Sequence, residues 1–238
     1  MQSLNFHIQQ DTPEHPAVGL IVLQSDETME HELRHWLPDR VRLFHTRIPN
    51  EVVISHDSLQ RMQSRLPLTT ALLPVTTDFK VIVYGCTSGA TVIGEQAVTD
   101  AIQSVFPDAA VTNPLSALTA RLASINACRI ALLTPYVPDV SAALMQALED
   151  EGIQVVDGAS FNESRDDQVA RISRQSILDA VKHLGSTRGI DAVVASCTNL
   201  RTFGLIDEAS QLAGVPVISS NSALAWHIGE LLRDATRA

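Results

Sequence analysis

Apolar residues fall into two alternating patterns along the chain. Runs such as Ala17–Leu23 (AVGLIVL) carry no polar break, which is the pattern of a strand buried on both faces. Between such runs, apolar residues recur at helical spacing. Met29, Leu33, Trp36 and Leu37 share one face of 28–37, which Pro38 stops. Further strands are predicted at 41–48 and 81–84, a partly helical segment at 57–73 that Pro67 interrupts, and a helix at 89–106. The alternation then restarts. Helices are predicted at 115–123, 140–148, 168–184, 203–212 and 223–232, and strands at 129–133, 153–156, 190–195 and 215–218. Such alternation predicts an α/β protein of two pseudo-symmetric halves, each a parallel sheet of βαβ units of Rossmann-like or flavodoxin-like kind, with the active site in the cleft between them. The boundary is expected near 107–114, where PDAAVTNP carries two prolines and an Asn-Pro turn signal. That gives a first half over 1–112, a second over 113–218, and a closing segment, 219–238, that returns to the first.

Composition narrows the function classes. With 45% hydrophobic and 18% charged residues in 238, the chain can build a sizeable core. Its formal net charge of −10 disfavours nucleic acid and anionic membrane surfaces. Three cysteines at wide spacing make a poor disulfide framework and fit a reducing cytoplasm. The opening MQSLNFHIQQDTPEHP lacks the basic start and apolar core of a signal peptide, and no apolar run approaches bilayer-spanning length. The partners expected are a small carboxylate substrate and further copies of the chain, as a dimer or tetramer.

Two cysteines occupy matched contexts. Val83–Ala90 reads VYGCTSGA and 193–201 reads VVASCTNLR: an apolar run, a small residue, Cys-Thr, then a polar opening toward a helix. In parallel α/β sheets ligands bind beyond the carboxyl ends of strands, where Cys86 and Cys197 both fall. A thiol ahead of a helix N-terminus is expected to have a lowered pKa. Thr87, Ser88, Thr198 and Asn199 add donors for a carboxylate. Two opposed thiols suit acid–base or addition chemistry, one as thiolate and the other as proton donor, with no metal or organic cofactor. The alternative is that buried cysteines are small hydrophobes ending strands. Cys128, in INACRIALL, lacks the polar turn and reads as structural.

GCTSG and SCTN resemble the two cysteine motifs of the aspartate/glutamate racemase superfamily, and more narrowly its maleate cis–trans isomerase and arylmalonate decarboxylase group. The resemblance spans nearly the whole chain, and GLIVLQSDETMEHELRHWLP is similar to the ectoine-utilisation branch. It implies a cofactor-independent isomerase with Cys86 and Cys197 as catalytic pair. Decarboxylases of the group keep only the second cysteine, so Cys86 favours isomerisation. LLTPY, ending at Tyr136, matches a tyrosine segment that contacts substrate carboxylate, and Phe161-Asn162 matches a substrate-contacting asparagine. Where the maleate isomerases carry Asn, this chain has Asp26, which suggests a substrate bearing a positively charged nitrogen. Each of these neighbours has a local alternative: Tyr136 packing against a loop, Asn162 as a turn residue, Asp26 as a helix cap, Asn221 as a cap.

His31-Glu32-Leu33-Arg34-His35 is a literal H-E-x-x-H. Its histidines lie opposite the apolar face, and no third ligand with familiar spacing follows, so a zinc hydrolase is the weakest reading. A racemase or epimerase, a maleate isomerase proper, an arylmalonate-type decarboxylase and a non-catalytic carboxylate-binding protein remain open.

Overall fold

The computed structural model of the chain describes residues 1–8 and 14–235. Residues 9–13, part of the opening segment read above for a signal peptide, and residues 236–238, the end of the closing segment, lie outside the described ones. The first half contains β1 (Ala17–Leu23), α1 (Met29–Trp36), β2 (Arg42–Ile48), α2 (His56–Arg61), a 3-10 turn (Gln63–Arg65), α3 (Leu66–Thr70), β3 (Phe79–Gly85), α4 (Thr87–Ile93), α5 (Glu95–Gln103) and β4 (Ala110–Thr112). Its four strands are parallel in the order β2-β1-β3-β4. There follow α6 (Pro114–Ser124), β5 (Arg129–Thr134), α7 (Pro138–Asp150), β6 (Gln154–Ser160), α8 (Asp166–Val169), α9 (Arg174–Gly185), β7 (Ala192–Ala195), α10 (Ile206–Ala213), β8 (Val217–Ser219) and α11 (Ser220–Ala235). The second sheet repeats the first topology, parallel in the order β6-β5-β7-β8. The expected α/β architecture of two equivalent sheets is therefore present.

The central strands carry the core. Every residue of β1 is buried, as the unbroken apolar run requires. Each fully buried Val, Leu or Ile side chain adds about 1.5–3 kcal/mol. On α1, Met29 and Leu33 face the core while His31 and His35 are exposed. The closing helix α11 packs on α6, on α1 and on β3 of the first sheet.

Several elements differ from the sequence expectation. The helix expected at 89–106 breaks at Gly94, whose φ of +89° only glycine adopts freely, so α4 begins at once after Cys86 and α5 is separate. The long helix expected at 168–184 is two, α8 and α9. Pro67 sits in the first turn of α3, starting it instead of interrupting it. β4 lies inside the segment read as a boundary; three residues are too few to show a period.

The halves interlock. Val53 and Arg165 form an antiparallel bridge, flanked by Ile54 N–H donating to the Ser164 carbonyl at 2.8 Å. Asn199 Oδ1 accepts from Glu27 N–H at 3.0 Å, and Asn199 O accepts from Thr28 Oγ1 at 3.1 Å. Glu32 on α1 reaches across to Thr202, Phe203 and Asn221.

Candidate active site

In each sheet the strand order reverses between its two central strands, β1 and β3 in the first, β5 and β7 in the second. A crevice opens at such a switch point, beyond the carboxyl ends. Asp26 follows β1, Cys86 follows β3, Tyr136 follows β5 and Cys197 follows β7. The two crevices meet in one small cavity, lined by Cys86, Ser88, Tyr136, Cys197, Thr198 and Asp166 on its polar side and by Leu23, Ile54, Leu59 and Met62 on its apolar side. Asn50, Glu51 and Ser58 complete the wall. Its free volume of about 10 Å³ is close to what one water molecule needs.

Cys86 is the N-cap of α4. Its Sγ accepts from Gly89 N–H at 3.2 Å and lies 3.6 Å from Ser88 Oγ. Gly89 permits this approach: a Cβ there would stand 2.4 Å from the Tyr84 hydroxyl and 3.0 Å from Cys86 Sγ. The Tyr84 hydroxyl is buried beside that thiol without a hydrogen-bond partner of normal length. Cys197 is built differently. No helix follows it; 198–200 form a turn and the next helix, α10, begins at Ile206, where 203 was expected. Asn199 N–H reaches Cys197 Sγ at 3.4 Å. The Tyr136 hydroxyl interacts with both the Cys197 thiol and Thr87.

The expectation of lowered thiol pKa values is overturned. Burial pushes Cys86 up to about 12, against the opposing pull of Ser88 and Gly89 N–H, with Asp166 and Asp26 adding to the rise. Cys197 is pushed up further, by burial and then by Asp166. Donors at a strand end do not outweigh full desolvation of a thiolate. Burial thus favours the neutral thiol at both positions.

The other expected residues divide. Ser88, Tyr136 and Thr198 line the cavity with the two cysteines. Thr87 lies one layer behind, its Oγ1 3.0 Å from Ser220 Oγ. Asn199 does not line the cavity; its amide is committed to Glu27 N–H and, through Nδ2 at 3.0 Å, to the Asp166 carbonyl. Asn162 is exposed with a φ of +53°, a turn residue outside the cavity. Asp26 Oδ1 caps α1, accepting from Thr28 N–H at 2.9 Å and Met29 N–H at 2.8 Å, while its buried Oδ2 has no partner. Burial raises its pKa to about 7, opposed by those N–H groups and, more weakly, by Arg47. Cys128 is exposed at the start of β5, so it is no packed core residue.

Two acidic residues were missed by sequence reasoning. Asp166, buried, lines the cavity; it opens α8, inside what periodicity read as loop before a long helix. Glu32 is buried and accepts from Thr202 N–H, Thr202 Oγ1, Phe203 N–H and Asn221 Nδ2. Asn221 Nδ2 also donates to the Thr198 carbonyl at 2.8 Å, so Asn221 braces the Cys197 turn. The HELRH glutamate is thus a buried anchor, and its histidine rings lie tilted against each other with centroids 4.2 Å apart, with Phe203 against His35. Among the described residues no group of three or more His, Cys, Asp or Glu is placed to hold a metal ion.

Residues 96–238 match the family described as arylmalonate decarboxylase, which is more than half of the chain. The chain belongs to that family. Among curated relatives, the family member described here is 26% identical to maleate isomerase of Alcaligenes faecalis, over 91% of this chain and 90% of that one. It is 25% identical to maleate isomerase of Nocardia farcinica, over 89% and 88%. It is 30% identical to arylmalonate decarboxylase of Bordetella bronchiseptica over 54% of this chain and 51% of that one. A solved structure of a Nocardia farcinica maleate cis–trans isomerase mutant with a covalently bound succinylcysteine intermediate superposes with a TM-score of 0.80 at 25% identity, covering 92% and 93%. Maleate isomerase of Pseudomonas putida shares the fold, with a TM-score of 0.82 at 21% identity over 90% of each chain.

Proposed function

We propose that this family member is a cofactor-independent isomerase of a small carboxylate, with Cys86 and Cys197 as its catalytic pair. The observation that carries the reading is that two buried thiols, from equivalent strand ends of the two halves, line one cavity. The halves that close on it are 1–112 with 219–238, and 113–218. The relatives named maleate isomerase, and the succinylcysteine held by one of them, support cysteine chemistry of this kind.

Because burial favours the neutral thiol, one thiol must lose its proton to solvent as substrate seats. For an olefinic acid, the Cys86 thiolate adds to the carbon β to the carboxylate. The double-bond electron pair moves into the carboxylate as an enediolate, and the Cys197 thiol protonates the α-carbon. Rotation about the new single bond follows. Cys197 then takes the proton back, the C–S bond breaks, and the other geometric isomer leaves. For a saturated acid, one thiolate removes the α-proton and the opposite thiol returns one to the other face. Hydroxyls of Ser88 and Tyr136 are placed to hold the carboxylate as charge develops. The finer alternatives are a racemase or epimerase and a cis–trans isomerase, acting on an ectoine-type or amino-acid-derived compound or on maleate itself. An arylmalonate-type decarboxylase is second, since the family carries that description; the presence of Cys86 weighs against it. A purely binding role gives no reason for two thiols in one cavity.

The test is proton NMR in D₂O with a panel of small carboxylates. Conversion of double-bond geometry supports the isomerase, and α-deuteration supports the racemase. CO₂ release from an arylmalonate without either would replace the reading with the decarboxylase.

A further inference from the structure

We propose that the cavity holds a cationic nitrogen group of its substrate against Asp166, with the buried Asp26 behind the wall adding to the negative field, so that the substrate pairs one carboxylate with one ammonium-like end. This deepens the isomerase reading above and rests on it. Asp166 is 3% exposed, yet its side chain lines the cavity with both thiols. Its Oδ2 accepts from Ser25 Oγ at 2.5 Å, and Ser25 Oγ in turn accepts from Asn50 Nδ2 at 2.8 Å. That relay commits the Ser25 proton to Asp166 and leaves the carboxylate an acceptor. Asp26, also 3% exposed, is set as an acceptor too, its Oδ1 taking two backbone N–H bonds while its buried Oδ2 is without a partner. Asp166 is close enough to raise Asp26, and both act on Cys86.

No Lys, Arg or His is among the cavity-lining residues described. Arg47 is held outside, bonding the carbonyls of Leu23, Gln24 and Asp26 and the Glu30 carboxylate. Glu51, on the wall, is already paired through Oε1 with Arg61 and Arg65. A second substrate carboxylate would meet the buried Asp166 with no cation on the wall to offset it; an ammonium group would meet an acceptor and would favour its ionised form. The hydroxyls of Ser88 and Tyr136 remain on the wall for the one carboxylate.

The test compares ligands that differ at one end only. Intact protein is treated with iodoacetamide at pH 8, and alkylation of Cys86 and Cys197 is followed by peptide mass spectrometry in the presence of 4-aminobutanoate or succinate. In parallel, conversion of (Z)-4-aminobut-2-enoate and of maleate is followed by proton NMR. The expectation is that 4-aminobutanoate protects at a concentration about tenfold or more below succinate, that the amino acid is the better substrate, and that Asp166→Asn narrows both preferences. Equal or better protection by succinate overturns the subsite and points to a shared proton donated to a second carboxylate. Protection by neither also overturns it. Protection by 4-aminobutanoate with no conversion of either olefin supports the subsite and sinks the isomerase reading; efficient conversion of maleate alone does the reverse.

Discussion

The turns that carry Cys86 and Cys197 occupy the same place in the repeated topology but are held in opposite ways. Cys86 is fixed locally: its own helix α4 begins on it, Gly89 N–H bonds its sulfur, and Ser88 stands beside it. Cys197 has no helix behind it. Its turn is fixed by the other half and by α11, through Asn199 on Glu27 N–H, Thr28 on the Asn199 carbonyl, Thr198 Oγ1 on the Gly85 carbonyl, and Asn221 on the Thr198 carbonyl. Behind these, Glu32 gathers Thr202, Phe203 and Asn221. One thiol is therefore placed by secondary structure and the other by docking of the halves. The geometry between them depends on contacts far from either sulfur.

The sharpest way to break this contrast is on the Cys86 side. Gly89→Ala puts a methyl 2.4 Å from the Tyr84 hydroxyl and 3.0 Å from Cys86 Sγ. Overpacking of this kind costs about 1–3 kcal/mol and shifts backbone. We expect kcat to fall by ~10–100-fold while iodoacetamide still reaches Cys197 at its normal rate; unchanged kcat would show that the local clamp does not set the Cys86 position. On the other side, Glu32→Gln turns one acceptor oxygen into a donor facing Asn221 or Thr202. A loss of about 1–3 kcal/mol in thermal or urea melts is expected, with kcat falling and Cys197 alkylation quickening while that of Cys86 does not. Equal quickening of both thiols would mean that Glu32 supports the fold at large and not the Cys197 turn.

The narrowest effect, visible only as a pH dependence, concerns Asp26. Its pKa of about 7 in the folded protein lies above the ordinary 3.8, so the native state holds a proton that the unfolded chain has lost. That contribution is complete below about pH 4 and disappears as pH rises through 7. Asn caps a helix about as well as Asp. The Tm of Asp26→Asn relative to the parent is therefore expected to rise from pH 5 and level off above about pH 7, by at most roughly 2.7 kcal/mol in stability at about 1.36 kcal/mol per unit. Parallel Tm curves would show that Asp26 titrates normally.

What could be read from the chain follows the same division. Strands buried on both faces, such as Ala17–Leu23, announce themselves by an unbroken apolar run, and two such runs ending in Cys-Thr placed both thiols at strand ends. Contacts between halves leave no periodic trace. Glu32 looked like an ordinary acid on a helix surface and Asp166 like one in a loop, and burial by partners more than a hundred residues away is invisible to a local pattern. The thiol pKa values were misread for the same reason: strand-end donors are visible in sequence, whereas complete enclosure by the opposite half is not. Asn162 matched by motif, but it has a left-handed backbone and is exposed outside the cavity, which a motif match does not reveal.

The central claim is that two thiols, differently anchored, serve one reaction. It is tested most directly by measuring kcat of Cys86→Ser, Cys197→Ser and Cys128→Ser on whichever small carboxylate the wild type converts, with folding checked by circular dichroism. The account predicts loss of nearly all turnover in the first two and near wild-type activity in the third, whose cysteine is exposed and remote from the cavity. If either Cys86→Ser or Cys197→Ser kept more than about a tenth of wild-type kcat, a barrier change under ~1.4 kcal/mol, the two-thiol account would be contradicted.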